Sequence, residues 1–325
     1  TLKTDTAADA VDLGSSTDAA GSTLELSSTE LGNIAGSTLV LGASDQGAVT
    51  VSAAIAPAIS TVHVKSTGAV NAASGAITAT SLAVSAGGAV TLSNASNALG
   101  TVAITTDTAG NLSVTDSNGF TVGSVDGVAG VVANDGSVTL TPGGTLVATQ
   151  AVTAAGSGNA LTVSGDNAIT LSGVTLTTAA GNIALGSGAI TLDTGTVTLT
   201  TGSGSAGNIS QSGSVNGAQD LTVEAGSGTV SVGTIGNSTA VGALTIDGSG
   251  GITLNGNVTS TGAQAYGGTG SGTDAVLLGG DLTLTTNAGN SNIKFYGAVS
   301  GETSNRDLTL SVHGTGTAEF DGAVG

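Results

Sequence analysis

Residues 88–93 have the sequence GAVTLS, in which the apolar residues Val90 and Leu92 alternate with the polar residues Thr91 and Ser93. Alternation with a period of two predicts a β-strand that has one apolar and one polar face. Gly, Asn, Asp or Ser flanks most such phrases, and these residues suit tight turns. The same phrase recurs as GAVTVS at 47–52, GSVTLT at 136–141, NAITLS at 167–172, GAITLD at 188–193 and GTVTLT at 195–200.

These short strands recur with a longer period. Equivalent phrases begin at Val49, Val70, Val90 and Leu112, and further equivalent pairs are Leu161 with Ile183, Val174 with Val197, Leu221 with Leu244 and Val230 with Ile252. A repeat of about 20–23 residues is typical of a β-solenoid. We therefore predict an all-β chain that forms a right-handed parallel β-helix, with two or three short strands in each coil.

Two other structures fit the sequence less well than the solenoid. A string of immunoglobulin-like sandwiches needs longer strands and a large core residue such as Trp, and the chain contains no Trp. An amphipathic helix needs apolar residues three and four positions apart, and the best candidate is the short Ala- and Asp-rich opening at 4–12. All-β structure remains the prediction.

Composition excludes several classes of function. The formal net charge is −18, and the four basic residues, Lys3, Lys65, Lys294 and Arg306, are scattered, so binding to nucleic acid or to an anionic membrane surface is not expected. The chain has no Cys and two His, which excludes disulfides, thiolate metal sites and three-His zinc sites. No apolar run approaches the ~18 residues of a membrane-spanning helix.

We expect residues 1–325 to form a single continuous β-solenoid segment, part of a longer repetitive chain. The Gly-rich stretch 260–275 is the longest interruption of the pattern. It predicts a loop that protrudes from a coil.

Few residues are candidates for chemistry, and we predict no catalytic residue and no cofactor-binding residue. His63 and His313 are expected to be solvated on strand faces. Tyr266 and Tyr296 are candidate surface contacts for a sugar or a partner protein. GGTGSGTDA at 267–275 partly matches a calcium-binding repeat, which makes Asp274 a weak Ca²⁺ candidate in a chain otherwise expected to need no cofactor.

The residues at 23–57, 82–103 and 118–144 resemble the repeat rods of filamentous haemagglutinin-like bacterial surface adhesins, the giant proteins of two-partner secretion. The tail, with LTLTTNAGNSNIKFYGAVSG and LTLSVHGTGTAEFDGAVG, is similar in style. The resemblance implies a secreted, extracellular protein of the bacterial cell surface, built as a right-handed parallel β-helix. It also implies a role in adhesion, in a biofilm matrix or in a surface fibre.

We therefore expect a non-enzymatic structural rod that acts as an adhesin stalk or an extracellular matrix scaffold. The expected partners are the chain itself, through end-to-end or lateral association, neighbouring repeats of the same chain, or glycans of a host or matrix. No nucleic acid and no membrane insertion are expected. Two alternatives remain open: a β-helix that binds or cleaves carbohydrate, and a calcium-dependent surface-layer protein. Convergence of acidic residues from successive coils beside a Tyr would favour the carbohydrate alternative.

Overall fold

A computed structural model describes residues 1–18, 20–204, 206–268, 274–303 and 305–325. The chain divides into two compact units, Thr1–Gly156 (unit 1) and Ser157–Gly325 (unit 2). Both units consist of short β-strands joined by tight turns, and the strand pairs between successive coils are parallel. The predicted all-β parallel solenoid is confirmed.

Among its described residues, unit 1 contains one short helix, Ser28–Gly32 (α1), and strands that begin at Ala10, the last of which extends one residue beyond the unit boundary, to Ser157. The strands are Ala10–Leu13 (β1), Thr23–Leu26 (β2), Thr38–Gly42 (β3), Val49–Val51 (β4), Thr61–Ser66 (β5), Val70–Asn71 (β6), Thr78–Ala86 (β7), Val90–Leu92 (β8), Ala98–Ala109 (β9), Leu112–Asp116 (β10), Thr121–Val122 (β11), Ser124–Val125 (β12), Val128–Ala129 (β13), Val131–Asp135 (β14), Val138–Pro142 (β15), Leu146–Ala148 (β16) and Val152–Ser157 (β17).

In unit 1 the strands β2, β1, β4, β6, β8, β10 and β15 pair in that order into one parallel sheet. A second parallel series runs from β3 through β5 and β7 to β9. The long strand β9 then pairs with two successors, β11 along its first half and β14 along its second. A hairpin formed by β12 and β13 lies between β11 and β14 in the chain. Its two strands pair in antiparallel orientation, unlike the strands of the parallel sheets.

Unit 2 contains strands from Leu161 to Phe320. They are Leu161–Val163 (β18), Ile169–Leu171 (β19), Thr175–Ala179 (β20), Ile183–Leu185 (β21), Ile190–Leu192 (β22), Val197–Thr200 (β23), Ile209–Gln211 (β24), Val215–Asn216 (β25), Leu221–Glu224 (β26), Thr229–Val232 (β27), Leu244–Asp247 (β28), Gly251–Leu254 (β29), Val258–Ser260 (β30), Gln264–Tyr266 (β31), Val276–Leu278 (β32), Leu282–Thr286 (β33), Ile293–Phe295 (β34), Val299–Gly301 (β35), Leu308–Ser311 (β36) and Ala318–Phe320 (β37).

The coils of unit 2 contribute strands to three parallel faces. The first face is β18, β21, β24, β27, β29, β32 and β35. The second contains β19, β22 and β25, continues through single bridges at Ile235, and ends with β30, β33 and β36. The third is β20, β23, β26, β28, β31, β34 and β37. Two or three strands per coil, as predicted, are therefore observed.

The register confirms the predicted repeat. Val49, Val70, Val90 and Leu112 are successive partners in one sheet of unit 1, and Leu161 pairs with Ile183 in unit 2. These residues point inward and at most 1% of each is exposed. Burial of one such aliphatic side chain contributes about 1.5–3 kcal/mol, so stability is distributed along the stack.

The best helical candidate in the sequence, residues 4–12, does not form a helix. Within the stretch 4–12, residues from Ala10 onward belong to β1, and the helix α1 lies further along. The Ser27 hydroxyl accepts from the Glu30 backbone N–H while the Glu30 carboxylate accepts from the Ser27 N–H and O–H, which is a capping box. Leu31 of this helix is fully buried.

The predicted loop at 260–275 is also partly wrong. Ser260 ends β30, and Gln264–Tyr266 form β31, which pairs with β28 and β34. Gln264 and Tyr266 alternate with Ala265 and point inward, so the period-two pattern continues through the Gly-rich stretch. Residues 269–273 of the predicted loop lie outside the described residues.

Candidate functional site

Tyr266, a predicted surface contact, is instead buried in the core of unit 2 with no exposed surface. Its ring stacks on Phe295 of the next coil, with centroids 5.0 Å apart. Its hydroxyl donates to the Gln264 Oε1 at 2.9 Å, and burial raises the pKa of the phenol well above its usual value. Tyr266 is therefore a core residue, and the prediction of a surface contact was wrong.

Tyr296 is half-buried on the outer side of the same face. The Lys294 Nζ lies 4.7 Å from the centre of the Tyr296 ring, and it also contacts carboxylates of Glu319 at 3.5 Å and Asp321 at 3.4 Å. Desolvation lowers the pKa of Lys294, but the hydrogen bond and charge of Asp321, with the charges of Tyr296 and Glu319, together raise it by more, so the net shift is upward. The role of Tyr296 in binding a partner stays a prediction.

Asp274 is 1% exposed, which is unusual for a carboxylate. Its Oδ2 accepts from the Gly268 N–H at 2.6 Å, and its side chain is hydrogen-bonded to Asp247 of the coil below. Asp247 in turn lies beside Glu224 in the register of β26 and β28. Three carboxylates from successive coils therefore line one groove of unit 2.

This acidic groove changes the titration of Asp247. Burial raises the pKa of Asp247, and the charge of Asp274, the hydrogen bond to it, and the charge of Glu224 raise it further, against an opposing hydrogen bond from the Gly248 backbone. A carboxyl pair in hydrogen-bond contact shares a proton more readily than it holds two charges. The pair is also too close to flank a glycosidic bond, which needs carboxyls about 5 Å or more apart.

Among the residues that the structure describes, no group of three or more His, Asp or Glu side chains is placed to hold a metal ion. Of the stretch 267–275 (GGTGSGTDA), the structure describes residues 267, 268, 274 and 275. A role of Asp274 in binding Ca²⁺ stays a prediction.

A second cluster lies in unit 1 around His63, which was predicted to be solvated. Val62 and Val64 point into the core, so the strand β5 directs His63 outward, as the alternation implies. The imidazole is nevertheless only 3% exposed. The reason is the β12–β13 hairpin, whose Val125 and Val128 cluster with Ala83 of β7, the strand next to β5, and with Ala103 of β9, the strand beyond it.

Both nitrogens of the buried imidazole have polar partners. His63 Nδ1 lies 2.7 Å from the Asp126 Oδ2, and His63 Nε2 lies 3.0 Å from the Ser85 Oγ. Ser85 is half-buried on β7, and Asp126 has 36% of its side chain exposed. A serine, a histidine and an aspartate thus form one hydrogen-bonded chain that leads from the surface under the hairpin.

The hairpin turn determines where the Asp126 carboxylate lies. Asp126 has φ +45° and Gly127 has φ +82°, the two positive values of a two-residue type I′ turn, for which Asp-Gly is a preferred pair. A hydrogen bond from the Gly130 N–H to the Gly123 carbonyl at 2.9 Å closes the base of the hairpin. The short, rigid connection holds Asp126 over a histidine 63 positions earlier in the chain.

The local sequence does not predict this cluster, although it contains one signal for it. Asp-Gly between the apolar residues Val125 and Val128 is a strong hairpin signal inside a repeat of another kind. No local sequence pattern indicates which residue lies beneath the hairpin. His313, by contrast, is exposed as predicted, and its Nδ1 lies 3.0 Å from the Gly289 carbonyl oxygen.

No family model matches the chain, and neither a curated protein nor a solved structure matches it. Within the described residues, no helix is both long and apolar enough to cross a membrane.

Proposed function

We propose that the chain is a structural repeat module of a secreted bacterial surface protein, serving as an adhesin stalk or as part of an extracellular fibre or biofilm matrix. The observation that carries the proposal is the continuous parallel register, coil on coil, along the first sheet of each unit. Such stacking distributes stability along the chain and needs no catalysis, cofactor or ligand.

The outward-facing residues support the same role. Ser and Thr occupy many outward positions of the sheets, and 8% of residues are charged, with 22 acidic residues against four basic ones. A surface of one sign resists nonspecific association and does not attract nucleic acid. The resemblance to filamentous haemagglutinin-like rods supports the extracellular location.

Self-association is part of the proposal because the outermost described coil of unit 2 presents apolar groups. Phe320 and Val324 are 37% and 61% exposed, while their counterparts one coil earlier, Phe295 and Val299, are buried. A second copy, or further repeats of the same chain, would cover these groups and pair with the free strand edge.

Electron microscopy of the purified chain, with and without a chelator, tests the proposed function. A stalk or fibre component gives continuous fibres with an axial repeat of about 4.8 Å, unchanged by chelator. Discrete particles that stay separate under all conditions would argue against a fibre-forming module. Fibres that dissolve in chelator would favour the calcium-dependent surface layer.

Binding of carbohydrate is the second candidate, favoured by the three carboxylates that line the acidic groove. A Cβ placed on Gly267, at the edge of this groove, would lie 3.3 Å from the Cβ of Tyr296, so a tyrosine stands beside it. Because Asp247 and Asp274 are in contact, the groove fits binding of hydroxyl groups better than cleavage of a glycosidic bond. Glycan-array binding that is lost in Glu224→Gln and kept in Glu302→Gln would favour this candidate.

A further inference from the structure

We propose that Ser85 is an activated nucleophile that accepts acyl groups from small carboxylic esters, with His63 as its general base and Asp126 as a positioning residue. The proposal goes beyond the structural role. It rests on two distances: 3.0 Å from the Ser85 Oγ to the His63 Nε2, and 2.7 Å from the His63 Nδ1 to the Asp126 Oδ2. A nucleophile bonded to a base that a third group orients is the geometry that defines such sites, on whichever fold they occur.

The hydrogen-bond chemistry assigns the direction of this chain. An ionised Asp126 carboxylate only accepts, so the His63 Nδ1 carries the proton of the neutral imidazole. The lone pair of Nε2 then faces Ser85, and the serine hydroxyl donates to it. This is the tautomer that a general base needs in order to take the serine proton.

His63 and Ser85 differ in burial, and the difference suits their roles as base and nucleophile. His63 lies beneath the hairpin with 3% of its surface exposed, so solvent does not compete for either nitrogen. Ser85 remains half-exposed on the outward side of β7, where a small ester can reach it. Val84 and Ala86, on either side of Ser85, are buried in the core and hold the strand in place.

A cation stands next to Ser85. Lys65 is its direct partner in the register of β5 and β7, and both side chains point outward on strands about 4.8 Å apart. Lys65 forms no ion pair with any described residue. Its ammonium group is suited to stabilise the negative charge that develops on a carbonyl oxygen under attack at Ser85.

The reaction balances with ester and water alone. The Ser85 oxygen bonds to the carbonyl carbon while its proton passes to the His63 Nε2. The tetrahedral intermediate then collapses, the bond to the leaving alcohol breaks, and His63 returns the proton to that alcohol. Water attacks the acyl-serine by the same route and releases the carboxylic acid. The outward neighbours of Ser85 on adjacent strands are Lys65 and Thr105, so the site suits a short acyl group at an open sheet face.

Labelling of the full chain with a fluorophosphonate probe tests the proposal, since attack by an activated serine forms an O–P bond and releases fluoride. Intact mass and peptide mapping should locate one adduct on Ser85. Ser85→Ala should abolish it, and Asp126→Asn should slow labelling about 10-fold or more, because asparagine fits the same turn but no longer holds the imidazole tautomer. Ser81→Ala is the matched control, because Ser81 lies on the same face of the same strand and should be dispensable.

Hydrolysis of p-nitrophenyl acetate supplies a second readout. The rate above the buffer reaction should fall about 100-fold or more in Ser85→Ala and in His63→Gln, the contribution expected of general-base catalysis. Circular dichroism checks that each variant is folded. If His63→Gln is unfolded, the test depends on Ser85→Ala and Asp126→Asn. The proposal is overturned if Ser85 is not labelled, if it is labelled no faster than Ser81, or if Asp126→Asn labels at the original rate. The cluster would then serve only to fasten the hairpin.

Discussion

At the scale of single residues, the acidic groove shows a cost that the solenoid imposes. Parallel stacking places equivalent positions of successive coils about 4.8 Å apart, so Glu224 and Asp247 lie directly opposite each other on adjacent strands. Like charges directly opposite each other are destabilising. Asp274 adds a third carboxylate. Burial is the largest cause of the upward shift in the pKa of Asp247, and repulsion by Asp274 and Glu224 adds to it.

Replacement of Asp247 by Asn should stabilise the protein at neutral pH. The folded-state pKa of Asp247 is raised above the unfolded value of about 3.8, so the stability of the original protein falls as pH rises from there through the folded pKa. Asp247→Asn removes this loss and keeps an amide for Asp274. The gain in unfolding free energy should be less than about 1 kcal/mol, because Asp247 is partly exposed and solvent screens the repulsion.

Urea unfolding at a series of pH values measures this effect. The advantage of Asp247→Asn should be present at pH 7 and shrink in acid, where the carboxyl of the original protein is protonated. Asp281→Asn, at a turn of the same unit, is a control that should not produce the same pH dependence. An advantage of equal size at acid and neutral pH would contradict the assigned cause.

Tyr266 is the residue on which the aromatic stack of unit 2 depends. Tyr266→Ala should cost about 3–5 kcal/mol, because it removes a fully buried ring that stacks on Phe295. Tyr266→Phe keeps the ring but leaves the Gln264 Oε1 without its donor, at a cost of about 1–3 kcal/mol. The midpoint of urea unfolding should therefore fall in the order original protein, Tyr266→Phe, Tyr266→Ala. An unchanged midpoint in Tyr266→Ala would contradict the placement of this ring in the core.

At the scale of elements, the turns of unit 2 contain a ladder of Gly-Asn pairs. A Cβ on Gly181 would lie 1.9 Å from the carbonyl oxygen of Asn159, and the same close approach recurs where Gly207 meets Gly181. The following asparagines connect the coils, since the Asn182 Oδ1 accepts from the Asn208 N–H at 2.9 Å. Glycine lets the backbones of successive coils touch at this corner, and asparagine satisfies the amide that the turn leaves unpaired.

Gly181→Ala should therefore destabilise the protein by about 1–3 kcal/mol, as expected of overpacking against backbone that cannot move aside. Gly280→Ala is the matched control in the same unit, because nothing lies within 4 Å of a Cβ built there. It should be neutral or slightly stabilising, since alanine reduces the freedom of the unfolded chain. Urea unfolding of the two variants checks the difference, and equal midpoints would show that the corner is not tightly packed.

The same elements show what sequence can predict in this protein. The core strands can be predicted from the local alternation of apolar residues and from their equal spacing, because both signals lie within one or two coils. The predicted equivalence of Val49, Val70 and Val90 is confirmed by their direct pairing. The burial of His63 depends on a hairpin 63 residues away. Asp-Gly at 126–127 indicates that a hairpin forms, but its docking position depends on packing between coils. The burial of Tyr266 does not follow from the Gly-rich composition around it, because glycine usually ends a strand, whereas here the alternation continues through β31.

At the scale of the whole molecule, charge and exposed apolar surface act against each other in self-association. The net charge of −18 opposes association of two copies, and salt screens this repulsion beyond about 10 Å at 0.1 M. The ring of Phe320 stacks on Phe295 with centroids 4.9 Å apart and leaves its outer face uncovered. Association through this coil should therefore become stronger as salt concentration rises.

The double variant Phe320→Lys, Val324→Lys should abolish this association, because it places two charges where the apolar side chains of a second copy would stack. Thr245→Lys together with Thr222→Lys is a matched control that adds the same charge to an outward sheet face. Sedimentation velocity at rising protein and salt concentrations should show growing species for the original protein and for the control, and a constant monomer for the double variant. Growth in all three would move the contact to the lateral faces. If the original protein, the control and the double variant all stay monomeric, the edge of this coil does not accept a second copy. The proposal of end-to-end assembly would then be wrong.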